Sequence, residues 1–401
     1  MKFRRWYVYV LIVCVITLGI FSWHTSIKHN INNNKQEITR NQDALPQKPE
    51  PDEQEEQKKE PVDISLVAVG DDLMHLEVIN DFKKSDGSYD FTPLYSDIKD
   101  EVSSADIAFI NQETILGGTK LGLSGYPTFN SPQELGRDLI KVGFNVINHA
   151  TNHALDKGVK GINNTISFWR SHPEVTMVGI YESQEDRDTI RVVDKKGIKI
   201  AFLSYAYGTN GIPIPKGKPY IVNIIDKNLI ANDVKRAKEL ADAVIVSLHW
   251  GNEYQEVPSK QQKELASYLA DLGVTLIIGH HPHVLEPVEW MKGKDGNNML
   301  VAYSLGNLVS CQNEIPRLVG GMLKLNIEKD VNDRISIKNP EIIPVVTHYE
   351  RYAKGFRIYK LKDYTDSLAK AHGLNRLGKH VTVQAFKNEA SAVLKSWYNL
   401  K

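Results

Sequence analysis

Three histidines fall within the five residues Gly279 to His283, directly after the apolar run Val274 to Ile278. A short apolar run bracketed by Gly273 and Gly279 reads as a buried strand. The histidines then stand at its carboxyl end, where open α/β sheets place their ligand sites. Imidazoles gathered at such a place bind metal or move protons, and solvated loop histidines are the plain alternative. Four more polar clusters follow apolar runs in the same way: Gly70-Asp71-Asp72, Asn111-Gln112-Glu113, Thr151-Asn152-His153, and His249 through Glu253. One such cluster alone is a helix cap or a turn. Five at successive strand ends point to a single metal or acid–base centre. Histidine, carboxylate and amide oxygen together suit Mn²⁺, Zn²⁺ or Fe, and the lack of cysteine donors disfavours a structural zinc site. A carboxylate shared between histidines can hold two cations about 3.5–4 Å apart, an arrangement that activates water against phosphate esters. No phosphate-binding P-loop, dinucleotide fingerprint or Gly-x-Ser-x-Gly elbow is found.

The elements that must position these residues alternate along the chain. Ile64 to Val69, Ala105 to Asn111, Asn145 to Asn148 and Ala243 to Leu248 read as strands, as do Met299 to Leu305 and Gly321 to Ile327. Ile190 to Tyr205 reads as a hairpin turning at Lys195 to Gly197. A helix is expected from Ser131 to Val142, with Ser131 as N-cap, Pro132 in the first helical position, Glu134 closing a capping box and Gly143 as the stop. Helices are also expected over Gly161 to Arg170, from the cap Asp226 to Leu240, and over Ser259 to Leu272. The mixture predicts a sheet-rich α/β sandwich rather than one parallel sheet. Near the C-terminus, Phe386, Ala390, Val393, Leu394 and Trp397 keep helical spacing over Ala385 to Leu400, which predicts a helix packed on the main domain or offered to a partner.

Composition narrows the class. The 401 residues are 41% hydrophobic, enough for a sizeable core, and the formal net charge of zero argues against a nucleic-acid binder. The two cysteines, Cys14 and Cys311, are not expected to pair. Lys2, Arg4 and Arg5 precede an uncharged, largely apolar run of 18 residues, Trp6 to Trp23. As a helix it would span about 27 Å, enough for a bilayer core. Trp6, Tyr7 and Trp23 suit the two interfaces, and the basic residues keep the N-terminus cytoplasmic. No small-x-small cleavage pattern follows it, so an uncleaved anchor is expected over a signal peptide. The polar, Pro- and Glu-rich stretch after it cannot bury a core and reads as a stalk. The expected plan is a cytoplasmic stub (1–5), a transmembrane anchor (6–23), a stalk (24–61), an extracellular folded domain (62–346) and a helical tail (347–401).

Read in order, Gly70-Asp71, Asn111-Gln112-Glu113, Asn152-His153 with Asp156 and Gly158, His249 to Tyr254, Gly279 to Val284, and Tyr303 to Asn307 form a set. This set resembles the CapA family of capsule and poly-γ-glutamate biosynthesis proteins, relatives of the calcineurin-like metallophosphatases, over about Val62 to Pro344. The resemblance implies a four-layer α/β/β/α metallophosphatase-like sandwich. It also implies a place in membrane-bound machinery that makes, exports or anchors an anionic polymer such as poly-γ-glutamate, with membrane subunits of that machinery as partners. By the same resemblance Asp71, Glu113, Asn152, His249, His281 and His283 would be ligands for one or two divalent cations, with Glu113 bridging and His280 a weaker candidate. His153 would assist a leaving group, Asp156 and Glu253 would orient imidazoles, and the Tyr303 to Asn307 segment would support the pocket. The chain departs from the pattern at Gln112 and Thr151, neither a ligand. It departs more seriously after Asp71, where metallophosphatases carry Asp-x-His and this chain carries Asp72 and Leu73, with the nearest histidine at His75. One cation site is therefore expected to be weak. Two alternatives follow: a non-catalytic accessory subunit of the polymer machinery, or a secreted metallophosphatase unrelated to capsule.

Overall fold

Fourteen strands form two mixed sheets laid face to face in the computed structural model, which describes residues 60–398. The expected membrane helix and nearly all of the expected stalk lie outside the described residues. Among the described residues, no helix is long and apolar enough to cross a membrane.

The first sheet is built around β1 (Val62–Asp72), with β2 (Ile107–Asn111), β3 (Val146–Asn148) and β4 (Thr176–Val178) running parallel to it on one side. The second sheet has a parallel core of β6 (Ile198–Ala206), β7 (Ala243–His249), β8 (Leu276–His280) and β10 (Asn298–Ala302), edged by antiparallel β5 (Arg191–Lys195) and β9 (Val288–Lys292). The short strand β11 (Asn307–Val309) pairs with the end of β1. On its other side β1 pairs with β12 (Val319–Lys329), followed by β13 (Ile335–Glu350) and β14 (Lys354–Lys360), all antiparallel.

The two-residue period of a strand sorts side chains between two cores. Ile198, Ile200 and Phe202 of β6 join the core shared with the first sheet, whereas Ala201, Leu203 and Tyr205 face the other way. Across the shared core Phe109 stacks on Phe202, ring centroids 6.3 Å apart. Helices α1 (Gln133–Val142) and α2 (Gly158–Arg170) bury Leu135, Leu139, Ile162 and Ile166 in the continuous apolar cluster around the first sheet. The outer face of the second sheet is covered by α3 (Lys227–Leu240) and α4 (Lys260–Leu272) through Ile230, Val234, Leu265 and Leu269. The result is a mixed α/β fold in which two sheets pack together. The C-terminal α5 (Val383–Leu394) buries Phe386, Ala390, Val393 and Leu394 in the first core.

Local chemistry explains the helix starts. Asp226 Oδ1 accepts from Leu229 N–H at 2.8 Å, and Ser259 and Gln262 close a reciprocal capping box on α4. The start of α1 differs from expectation. Pro132 takes the cap position without a side-chain bond, because Ser131 Oγ is 2.7 Å from Thr114 Oγ1 and so ties down the loop after β2. The expected boundary between folded domain and helical tail, at 346/347, falls inside β13, and β14 extends the sheet further. Leu305 lies outside β10, in the loop that leads to β11.

Parallel packing brings the carboxyl ends together. Asp71, Asn111 and Asn148 sit in adjacent register on β1, β2 and β3, and Ala206, His249 and His280 do so on β6, β7 and β8. The join between the sheets needs glycine at position 70. A Cβ there would lie 1.9 Å from the carbonyl oxygen of Gly306 and 2.9 Å from that of Leu305. Backbone cannot yield as a flexible side chain would. We expect Gly70→Ala to lower stability by about 2–3 kcal/mol in urea unfolding, in line with overpacked cores. An unchanged midpoint would show that this contact is slack.

Candidate metal centre

Asp71 is fully buried at the end of β1, and its carboxylate is surrounded by donors. Oδ1 accepts from Asn111 Nδ2 at 2.8 Å and lies 3.5 Å from His280 Nδ1. Oδ2 accepts from His281 N–H at 3.3 Å and lies 3.1 Å from His283 Nδ1. Burial alone would raise its pKa, but His280 and His283 outweigh that and hold it well below the usual carboxylate range. Its neighbour Asp72 turns to the other face of the strand and accepts from Tyr95 Oη at 2.8 Å. Adjacent residues on a strand cannot share a site, so only Asp71 faces the histidines.

Glu113, past the end of β2, is equally buried, and neither of its carboxylate oxygens has a hydrogen-bond partner. Its Oε1 is 3.6 Å from His249 Nε2 and 3.7 Å from His283 Nε2. Burial, with the negative charge of Asp71 nearby, pushes its pKa well above the ordinary value despite the attraction of His283. His283 lies between the two carboxylates. Burial would lower its pKa, yet Glu113 and Asp71 push it up to about 9. His249 and His281 go the other way, His249 well below its usual value and His281 to about 3, because burial and neighbouring imidazoles disfavour their charged forms. Asn152 Oδ1 is 2.9 Å from His249 Nε2.

The donors therefore fit a divalent cation. Asp71, Glu113 and His283 each present one ligand atom, all within 4.8 Å of one another, and Glu253, His281 and His283 form a second such group. Oxygen and imidazole nitrogen suit Mn²⁺, Zn²⁺ or Fe. A buried carboxylate without hydrogen bonds is otherwise a destabilising feature of several kcal/mol. Backbone strain is concentrated here too: His281 and His283 adopt φ of +98° and +59°. Such conformations cost roughly 1–3 kcal/mol each and cluster at functional sites.

The other candidates fall into two groups. His153 Nδ1 lies 2.7 Å from Asp156 Oδ2, which also accepts from Phe129 N–H at 2.6 Å, so Asp156 orients that ring. Glu253 makes no hydrogen bond to an imidazole; it is exposed and faces His281 and His283 as a further oxygen donor. His280 stacks on Phe109 with neither ring nitrogen hydrogen-bonded. His75 belongs to neither ligand group, since its Nδ1 accepts from Cys311 N–H at 3.2 Å. It does not replace the histidine missing after Asp71.

Sequence reasoning missed Asn148, Ser204 and Asn210 among the polar residues that hold the ligands. Ser204 of β6 donates to Asn148 Oδ1, Asn148 Nδ2 donates to Asn111 Oδ1 at 2.6 Å, and Asn111 passes the chain on to Asp71. Asn210 accepts from Asn152 Nδ2 at 3.1 Å and touches His153. Asn307, at the end of the segment expected to support the pocket, places Oδ1 3.0 Å from His283 Nδ1. The signal for Asn210 was available, because Tyr207 to Asn210 is one more polar run after an apolar strand.

The model of the bacterial capsule synthesis protein PGA_cap family matches residues 65–312, more than half of this chain. The chain belongs to that family. Similar PGA_cap relatives include the PGA biosynthesis protein CapA of Bacillus subtilis (strain 168), 31% identical over 209 residues and 52% of each chain. The capsule biosynthesis protein CapA of Bacillus anthracis is 31% identical over 185 residues, 45% of this chain and 43% of that one. The chain thus matches about half the length of these curated relatives. Among solved structures, a calcineurin-like phosphoesterase from Bacillus subtilis is 14% identical with a TM-score of 0.40, covering 83% of this chain and 97% of that one. A 5'-nucleotidase precursor from Thermus thermophilus is 14% identical with a TM-score of 0.45, covering 83% and 59%.

Ligation requires His283 and Glu113 to lose their protons. The raised pKa values of both therefore predict that metal affinity climbs as pH rises from 6 towards 9, with protons released on binding. Calorimetry in buffers of different ionisation enthalpy measures that release. A pH-independent affinity with no proton release would contradict the assignment.

Proposed function

We propose that this chain is a membrane-anchored, extracellular protein of capsule polymer synthesis, acting on an anionic polymer such as poly-γ-glutamate through a metal-dependent hydrolytic site. The observation that carries the reading is the unpartnered Glu113 carboxylate, buried among His249, His283 and Asp71. The family supports the polymer, and the basic residues before the apolar run Trp6 to Trp23 support the anchor. Membrane subunits of the synthesis machinery are the partners that such a location implies.

Asp71, Glu113, Asn152, His249, His281 and His283 would hold one or two divalent cations. When bound, such a cation acts as a Lewis acid and lowers the pKa of water. The chain's own residues do the rest. Asp156 accepts the Nδ1–H of His153 and so leaves Nε2 as the atom that delivers a proton to a leaving group. The 3.4 Å contact from Asn210 Nδ2 to the same Nδ1 is longer and fixes the ring by packing. Tyr207 packs against His281 with ring centroids 4.5 Å apart and the rings tilted by 42°.

A second reading is a non-catalytic accessory subunit, and the observation favouring it is the engagement of His75 by backbone away from Asp71. One set of measurements separates the two. Under the hydrolytic reading the full chain retains stoichiometric manganese by elemental analysis, and Glu113→Ala and His281→Ala lose both metal and polymer production. His153→Ala keeps the metal and lowers turnover by about 10²–10⁴-fold, the usual contribution of a general acid. Polymer production that survives the loss of metal would leave only the accessory role, and a wild type without stoichiometric metal would remove the hydrolytic one.

A further inference from the structure

At the mouth of the candidate centre Arg317 lies flat against Tyr254, its Cζ 3.6 Å from the ring centroid. The Tyr254 ring centroid is in turn 6.2 Å from that of His283, so the guanidinium lies within about 10 Å of a candidate ligand. Its placement is fixed from the site itself. Asn307, whose Oδ1 contacts His283, donates from Nδ2 to the carbonyl oxygen of Arg317 at 2.8 Å. Tyr254 is held by its N–H to Pro282 O at 2.7 Å, with φ at +65°.

Among the described residues the charge meets the Tyr254 ring and, at longer range, Glu314, but no carboxylate pairs with it directly. The nearby Glu314 has both carboxylate oxygens on Lys379, at 2.8 and 2.7 Å. Among the described residues the Arg317 guanidinium forms no ion pair and no hydrogen bond. A half-buried arginine pressed on an aromatic ring, with its donors unfilled, is already ordered for binding. Its planar fork matches a carboxylate in two parallel hydrogen bonds.

We propose that Arg317, braced by Tyr254, is a specificity-determining residue that grips a carboxylate of an acidic substrate beside the part held at the metal centre. The assignment rests on the reading of this site as one that acts on an acidic polymer. It adds the contact that tells such a polymer from a neutral one.

The test is calorimetric titration of the full chain, metal-free and manganese-loaded, with a γ-linked glutamate pentamer and separately with inorganic phosphate. Arg317→Met keeps the stem on Tyr254 and removes the charge. It should weaken pentamer binding by about 10- to 100-fold in both forms, the scale of a charged hydrogen-bonded pair, while bound manganese per chain stays unchanged. Arg317→Lys should recover part of the loss, and Tyr254→Leu should show an intermediate one. Wild-type affinity in Arg317→Met would overturn the proposal. So would a wild type that does not bind the pentamer, or Arg317-dependent binding of phosphate alone. Pentamer binding that depends on Arg317 in a wild type that holds no manganese would sink the hydrolytic reading and leave this one standing.

Discussion

A buried carboxylate must be given donors or lose its charge, and the Asp71 carboxylate meets that constraint by drawing on both sheets. It takes one bond from Asn111 in its own sheet, one from the backbone of His281 beyond β8, and a third contact from His283. Each donor is itself fixed: Asn111 by Asn148, Asn148 by Ser204 across the sandwich, and His283 by Asn307. An isolated ion in the interior would be worth several kcal/mol against folding. A fully bonded one instead sets the register in which the two sheets meet.

That register has consequences in the backbone. Strand β1 must approach the loop before β11 closely enough for Asp71 N–H to donate to Gly306 O at 2.9 Å, and only glycine at position 70 allows it. Gly279 makes the matching approach to Tyr303 O, which Trp250 Nε1 also reaches at 2.8 Å. Beyond Gly279 the chain turns through the left-handed conformations of His281 and His283. Strain at two histidines is tolerated because both ends of the segment are pinned, one by the β8 pairing and the other by Asn307. The imidazoles are thereby aimed by backbone rather than by rotamer choice alone.

Much of this was legible in the chain. Apolar runs ending in Asp71, Asn111 and His249 are strands whose last residues enter the site, and the reading needs only period and composition. What a single sequence lacks is adjacency between strands. Asn148 and Ser204 are ordinary strand residues until β3 and β6 are known to face one another. Arg317 lies in a single 3-10 turn (Ile315–Leu318), too short to show a period, 63 positions after the tyrosine it stacks on. Ser131 carried every local mark of a helix cap, and tertiary contact with Thr114 took its hydroxyl instead. The strand β14 was hidden because it is half exposed and three of its seven residues, Lys354, Arg357 and Lys360, are charged.

The departure after Asp71 weighs less against chemistry than the motif comparison implies. Glu253, His281 and His283 offer three protein donors in one group. Asp71, Glu113 and His283 offer three in the other, and His283 is common to both. Closed sets of four are characteristic of structural zinc sites, whereas hydrolytic ones keep three protein ligands and leave a position for water or substrate. Under the proposed reading, the missing histidine would weaken affinity on the Asp71 side and would also leave that side open. It is the same side on which His283 leads out to Tyr254 and Arg317. On that reading an acidic substrate would enter there, beside the Arg317 guanidinium that stacks on Tyr254.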